Sequence, residues 1–188
     1  MDLDVIQANL PDVEKLNQLV NSAYRGDSSR KGWTTEADLL QGQRTDELFI
    51  RQYIEQEDSV ILIAYDGDSD SDDEAIEDSE DRDLVGCVLL QKKGDSCYLG
   101  MLTVRPDLQG QGIGVSLINE SEVYAEFWDC QKIEMTVLKQ RSELIQWYQK
   151  QGFQLTSKTA PFPYGDERFG IPQRDDLEFV ILEKIIKP

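Results

Sequence analysis

The feature that most constrains this chain is a glycine-rich turn, Gln109-Gly110-Gln111-Gly112-Ile113-Gly114, set between a strand-like run and a helix-like run. Before it, Cys97 to Val104 reads as a strand, and Arg105-Pro106-Asp107 ends it because proline cannot donate to a ladder. After it, Ile113, Leu117, Tyr124 and Trp128, with Ile118 and Ala125 alongside, mark one apolar helix face. A strand that turns on glycines directly into a helix leaves several N–H groups without an acceptor, and the helix dipole makes that end positive. Such a turn is either an anion site or only a tight connection. Spacing narrows the anion. A dinucleotide-binding turn wants its third glycine where Val115 stands, and no acidic residue ends a strand about twenty residues on. A P-loop wants Gly-Lys-Ser/Thr, and the chain offers Gly114-Val115-Ser116.

The flanking sequence predicts the rest of an α/β (α+β) architecture. Asp4 to Ala8 is a short strand, and Pro11 opens a helix whose apolar positions include Leu16, Leu19, Val20 and Ala23. A loop through Gly26, Ser28, Ser29 and Gly32 follows. Thr34 or Thr35 then caps a short helix over Glu36 to Leu40, and Asp46 caps a longer one. Val60 to Tyr65, Leu84 to Leu90 and Lys132 to Leu138 read as strands, with a helix from Arg141 to Lys150 closing at Gly152. Phe153 to Lys158 and Leu177 to Ile186 are the last two strands. Three consecutive strands before a helix predict a mixed central sheet, of about seven strands flanked by about four helices.

Composition limits the function classes. The 188 residues and 39% hydrophobic content suit a single domain, 1–188, with one sizeable core. The chain has no histidine, which removes Ser-His-Asp, Cys-His and His-ligated metal mechanisms, and no metal is expected. Of the formal charge of −18, a net of −10 falls in 66–83, where eleven acidic residues face Arg82 alone. That block reads as a disordered insertion between two strands, with an electrostatic lure for cationic substrates as the alternative. The charge excludes a nucleic-acid partner. No apolar run is long enough for a membrane span, and Met1-Asp2-Leu3-Asp4 lacks the regions of a signal peptide, so a soluble, cytoplasmic protein is expected. Cys87, Cys97 and Cys130 are read as three reduced thiols, although Cys87 and Cys97 fall on adjacent predicted strands.

Gln109, Gly112 and Gly114 fit the pattern Gln/Arg-x-x-Gly-x-Gly/Ala. With the approach strand Leu102-Thr103-Val104-Arg105-Pro106 and the later Trp147-Tyr148-Gln149-Lys150-Gln151-Gly152-Phe153, the sequence resembles the GNAT superfamily of N-acetyltransferases. The resemblance covers Leu84 to Phe153 well, and Gly32 to Leu40 resembles a segment of a bacterial subgroup. It implies acetyl-CoA as co-substrate, Leu102 and Val104 on the pantetheine arm, and the Gln109, Gly110, Gln111, Gly112, Ile113, Gly114, Val115 and Ser116 stretch on the pyrophosphate. A neutral primary amine would attack the thioester through a tetrahedral intermediate, and Tyr148 matches the tyrosine that protonates the departing thiolate. Tyr148 can equally be a packing residue beside Trp147 and Phe153.

The acceptor end is less constrained. Tyr24, Arg25, Trp33, Thr34 and Glu36 fall in the region that forms one wall of the family's acceptor pocket, and Tyr164 to Gly170 in another; each can also be a loop anchor. Ser96 to Val104 lacks the carboxylate that some family members use as base, and Arg141 stands where an asparagine is often found. Glu134 and Glu36 are the remaining base candidates, with water as a relay. Carboxylates around the cleft would favour a cationic amine. The acceptor is expected to be a small-molecule or peptide amine, and a homodimer stays open. The competing reading is a non-catalytic acyl-CoA-binding sensor or interaction module on the same fold, with a nucleotide-phosphate protein as a weaker third.

Overall fold

The computed structural model describes residues 3–67 and 82–187. The acidic stretch 68–81, within the insertion expected to be disordered, lies outside the described residues. In chain order the elements are β1 (Leu3–Gln7), α1 (Val13–Tyr24), α2 (Gly26–Ser29), β2 (Leu40–Gln41), α3 (Glu47–Glu55), β3 (Ser59–Asp66), β4 (Leu84–Lys93) and β5 (Ser96–Val104). They continue with α4 (Ile113–Phe127), β6 (Lys132–Leu138), α5 (Ser142–Lys150), β7 (Gln154–Pro161), β8 (Ile171–Pro172) and β9 (Glu178–Ile185).

A single α/β domain results, with a seven-stranded mixed sheet in the order β1-β3-β4-β5-β6-β9-β7. Neighbours are antiparallel except β5 and β6, which run parallel because α4 carries the chain back across the sheet. Both faces are covered, so β3 is buried along almost its whole length. Its period of two divides the core: Val60, Leu62 and Ala64 pack on the face with Ile113 and Leu117 of α4, while Ile61, Ile63 and Tyr65 pack on the face with Leu16 and Val20 of α1. Each buried valine, leucine or isoleucine among them contributes about 1.5–3 kcal/mol.

Local chemistry sets the helix ends. Asp46 accepts the Phe49 N–H at 2.9 Å, the cap that the sequence predicts for α3. Past α5, Gly152 adopts φ +91° and Phe153 N–H returns to the Tyr148 carbonyl at 3.2 Å, which seats Tyr148 in the last turns of a well-capped helix.

Two expectations are corrected. Glu36 to Leu40 forms a turn rather than a helix, because the chain leaves it to pair β2 with β8 in a separate two-stranded sheet, Leu40 opposite Pro172. Part of the expected loop after α1 is instead the helical turn α2, whose Ser29 hydroxyl bonds the Gly26 carbonyl at 2.7 Å. The cysteines are free and buried; Cys87 lies opposite Thr103 and Cys97 opposite Lys92, so they do not face each other.

Candidate active site

β5 and β6 pair only from Ser96 to Tyr98 and then diverge. The β4–β5 register shifts between Cys87 and Leu89, opposite the point where Met101 takes φ +52°. A buried non-glycine residue in the left-handed region is held there by its surroundings: the Met101 carbonyl accepts the Thr103 hydroxyl at 2.9 Å. The Leu102 carbonyl accepts the Tyr24 hydroxyl. The bulge and the splay together open the middle of the sheet between β5 and β6.

Two cavities meet at this opening. One, of about 340 Å³, runs beside Leu102, Val104 and the glycine turn. The other, of about 130 Å³, lies between β5, β6, the segment after α1 and the hairpin after β7. Tyr24, Leu102, Leu144 and Tyr148 line both.

At the turn, Gly110 and Gly112 have φ of +84° and +93°, and a Cβ on either would meet only open space. These glycines are required by conformation, and the space above them is free for a ligand. The N–H groups of Gly110 to Gly114 find no acceptor among the described residues, and they cluster at the positive end of the fifteen-residue helix α4. The donor set is narrower than the expected stretch to Ser116: Val115 and Ser116 already donate to the Gly112 carbonyl, at 2.9 and 3.0 Å, as the helical ladder begins. Ser116 and the exposed Gln111 line neither cavity.

Gln109 acts as a clamp. Its Oε1 accepts the Trp33 and Thr34 N–H groups at 2.8 and 3.4 Å, and its Nε2 donates to Thr34 Oγ1 and the Val104 carbonyl at 2.7 and 3.2 Å. Gly32 allows this approach, since a Cβ there would lie 2.6 Å from Gln109 Oε1. The clamp draws Trp33 and Thr34, expected at an acceptor wall, into the wall of the larger cavity and away from the smaller one. Trp33 packs on Trp147 with ring centres 6.0 Å apart, and Trp147 meets the Tyr148 ring at 5.0 Å.

Tyr148 sits where the cavities join, and its hydroxyl makes no hydrogen bond among the described residues. Burial, followed by neighbouring Tyr24, raises its pKa far above the usual phenol value, so it is a protonated donor at neutral pH.

Glu36 lines the smaller cavity, paired with Arg25 Nη1 at 2.5 Å and with Arg141 Nη1 at 3.1 Å. Burial pushes its carboxyl up, but Arg25, Arg44 and Arg141 outweigh that and hold it below the usual carboxylate range. A carboxylate so committed is a poor proton acceptor. Glu134 lines neither cavity and pairs with Lys132 at 2.9 Å, as does Glu183 across the sheet at 3.1 Å. Of the last hairpin, Phe169 reaches the smaller cavity, while the Tyr164 hydroxyl holds the loop by accepting the Leu177 N–H at 2.7 Å. Sequence reasoning missed Arg44 and the role of Arg141. Only the odd arginine before α5 hinted at the cluster, because its members meet through the fold alone.

The family model for the acetyltransferase (GNAT) family matches residues 30–153, and the chain belongs to that family. The chain is also 27% identical over 90 residues to the uncharacterized protein YdhI of Bacillus subtilis (strain 168), a match covering 48% of this chain and 53% of that relative. It therefore spans about half of that relative's length. Among solved structures, the ribosomal-protein-S18-alanine N-acetyltransferase of Escherichia coli superposes with a TM-score of 0.67 at 13% identity, covering 100% of this chain and 96% of its own. The PaiA N-acetyltransferase of Thermoplasma acidophilum, solved in complex with coenzyme A, gives 0.66 at 18% identity, covering 98% and 99%. At these identities the likeness is one of fold.

Proposed function

We propose that the protein is an N-acetyltransferase that moves the acetyl group of acetyl-CoA to a primary amine. The observation that carries this reading is the wall shared by the two cavities, where Tyr148 faces both. The larger cavity suits the co-substrate: the unpaired N–H groups over Gly110 to Gly114 would bind the pyrophosphate, and the splayed edge at Leu102 and Val104 would take the pantetheine arm. The coenzyme A complex of a protein of the same fold supports that assignment.

The smaller cavity would present a neutral amine to the thioester carbonyl beside the β5 bulge. As the C–N bond forms, a backbone N–H of splayed β5 stabilises the developing oxyanion. The C–S bond then breaks, the Tyr148 hydroxyl protonates the departing sulfur, and the amine loses its proton to water, which returns a proton to the Tyr148 phenolate. Glu36 orients Arg25 and Arg141 in this scheme and is not the base.

One observation favours a second reading, a non-catalytic acyl-CoA-binding module. Glu36 is the only carboxylate among the described residues lining the acceptor cavity, and it is fully paired. Thiol release from acetyl-CoA across a panel of amines separates the two. Buried Cys87, Cys97 and Cys130, their thiols all raised in pKa chiefly by burial, keep the background low. Amine-dependent release is expected. Coenzyme A binding with no release for any amine would favour the module.

A further inference from the structure

The acceptor cavity is cationic in a chain whose formal charge is −18. Arg25 and Arg44 line it, against Glu36 alone. That carboxylate is already divided between Arg25 and Arg141. Nε and Nη2 of Arg25, and Nη2 of Arg141, are buried without a hydrogen-bond partner, although the two side chains are only 6% and 8% exposed. Arg44 is half-buried and forms no ion pair among the described residues; its guanidinium lies 5.4 Å from the centre of the Tyr24 ring. Three guanidinium groups around one carboxylate leave two positive charges uncompensated, and enclosure penalises that arrangement until another anion completes it.

Resting on the acetyltransferase reading, we infer that the acceptor is a small amine that also carries a carboxylate, a molecule of amino-acid type. Its carboxylate seats on Arg44, with the Arg25–Glu36–Arg141 cluster behind it supplying the field. Its amine points to the junction at Tyr148. Phe162, Phe169 and Phe179 are among the apolar residues of the wall, which suits a hydrophobic side chain. Beyond Arg44 the space continues into a depression of about 280 Å³ that also holds Arg168, whose charge is taken by Asp166. The cluster reverses the sequence expectation of a cationic acceptor, because the one lining carboxylate is neutralised internally.

The test compares matched acceptors at saturating acetyl-CoA: leucine and phenylalanine, their amides, and the amines left when the carboxylate is removed. The carboxylate forms are expected to show kcat/KM roughly tenfold or more higher, as in sites built to pair a charged or polar group. Arg44→Gln should raise KM for the amino acids and collapse that preference, and Arg44→Lys, which keeps the charge, should restore part of it. Amides or decarboxylated amines that react as well as the amino acids, or a preference unchanged in Arg44→Gln, would overturn the inference and leave the acetyltransferase reading standing. Coenzyme A binding without thiol release for any acceptor would overturn that reading, and the inference with it.

Discussion

Tyr148 and Glu36 show how one environment gives two ionisable side chains opposite uses. Both face the smaller cavity, and burial acts on both. Tyr148 has no cation bonded to it, so burial favours its neutral, protonated form. Tyr148→Phe keeps the ring packing against Trp147 and Phe153 and removes only the hydroxyl, so kcat is expected to fall by about 100-fold or more in steady-state kinetics while the melting temperature changes little. Glu36 is held ionised by arginines, and its worth is structural. Replacing it with glutamine leaves Arg25 and Arg141 buried without an anion, at an expected loss of about 3–5 kcal/mol at neutral pH by urea denaturation. Its folded pKa lies below the ordinary value of 4.5, so its contribution is complete above that value and is lost as pH falls through the lower folded pKa. The stability gap between wild type and Glu36→Gln should therefore narrow in acid; a gap independent of pH would contradict the assignment.

At the scale of elements, the site exists because β5 does not stay paired. Its bulge at Met101 and its separation from β6 after Tyr98 create the gap, and α4 brings the turn to one end of it. Gln109 joins the turn to the loop carrying Trp33 and Thr34 through three hydrogen bonds, and to the end of β5 through a fourth, to the Val104 carbonyl. Gln109→Ala should weaken acetyl-CoA binding measured by calorimetry and make the 32–34 loop an early site of limited proteolysis; unchanged affinity would show that the clamp is dispensable. Strong periodicity made much of this readable in sequence: β6 has the predicted bounds, Lys132 to Leu138, and the Asp46 cap and Gly152 stop act as expected. The glycine turn was legible because its spacing is local. Glu36 to Leu40 was not, since its partner strand β8 lies some 130 residues further on and tertiary pairing overrides a helix-like run. The arginine cluster was hidden because it meets through the fold: Arg25 follows α1, Arg44 precedes α3, and Arg141, at the start of α5, lies 105 residues from Glu36.

For the whole molecule, charge and shape divide the work. The acidic excess is concentrated in 66–83, whose ends are tied together by the Asp66 N–H to the Asp83 carbonyl at 3.2 Å, while arginines collect around the smaller cavity. Two apolar cores on either face hold the sheet rigid around the gap, so the cavities are set by the fold as a whole. On the proposed function, such a frame holds two substrates against each other at Tyr148. The most direct test of that claim is one mass-spectrometric measurement on a mixture of protein, acetyl-CoA and a carboxylate-bearing amine, counting acetylated amine against free coenzyme A thiol. Equal amounts of the two, both cut about 100-fold over the same early interval in Tyr148→Phe, are predicted. Thiol released without acetylated amine, or acetyl-CoA recovered intact with every amine tried, would contradict it.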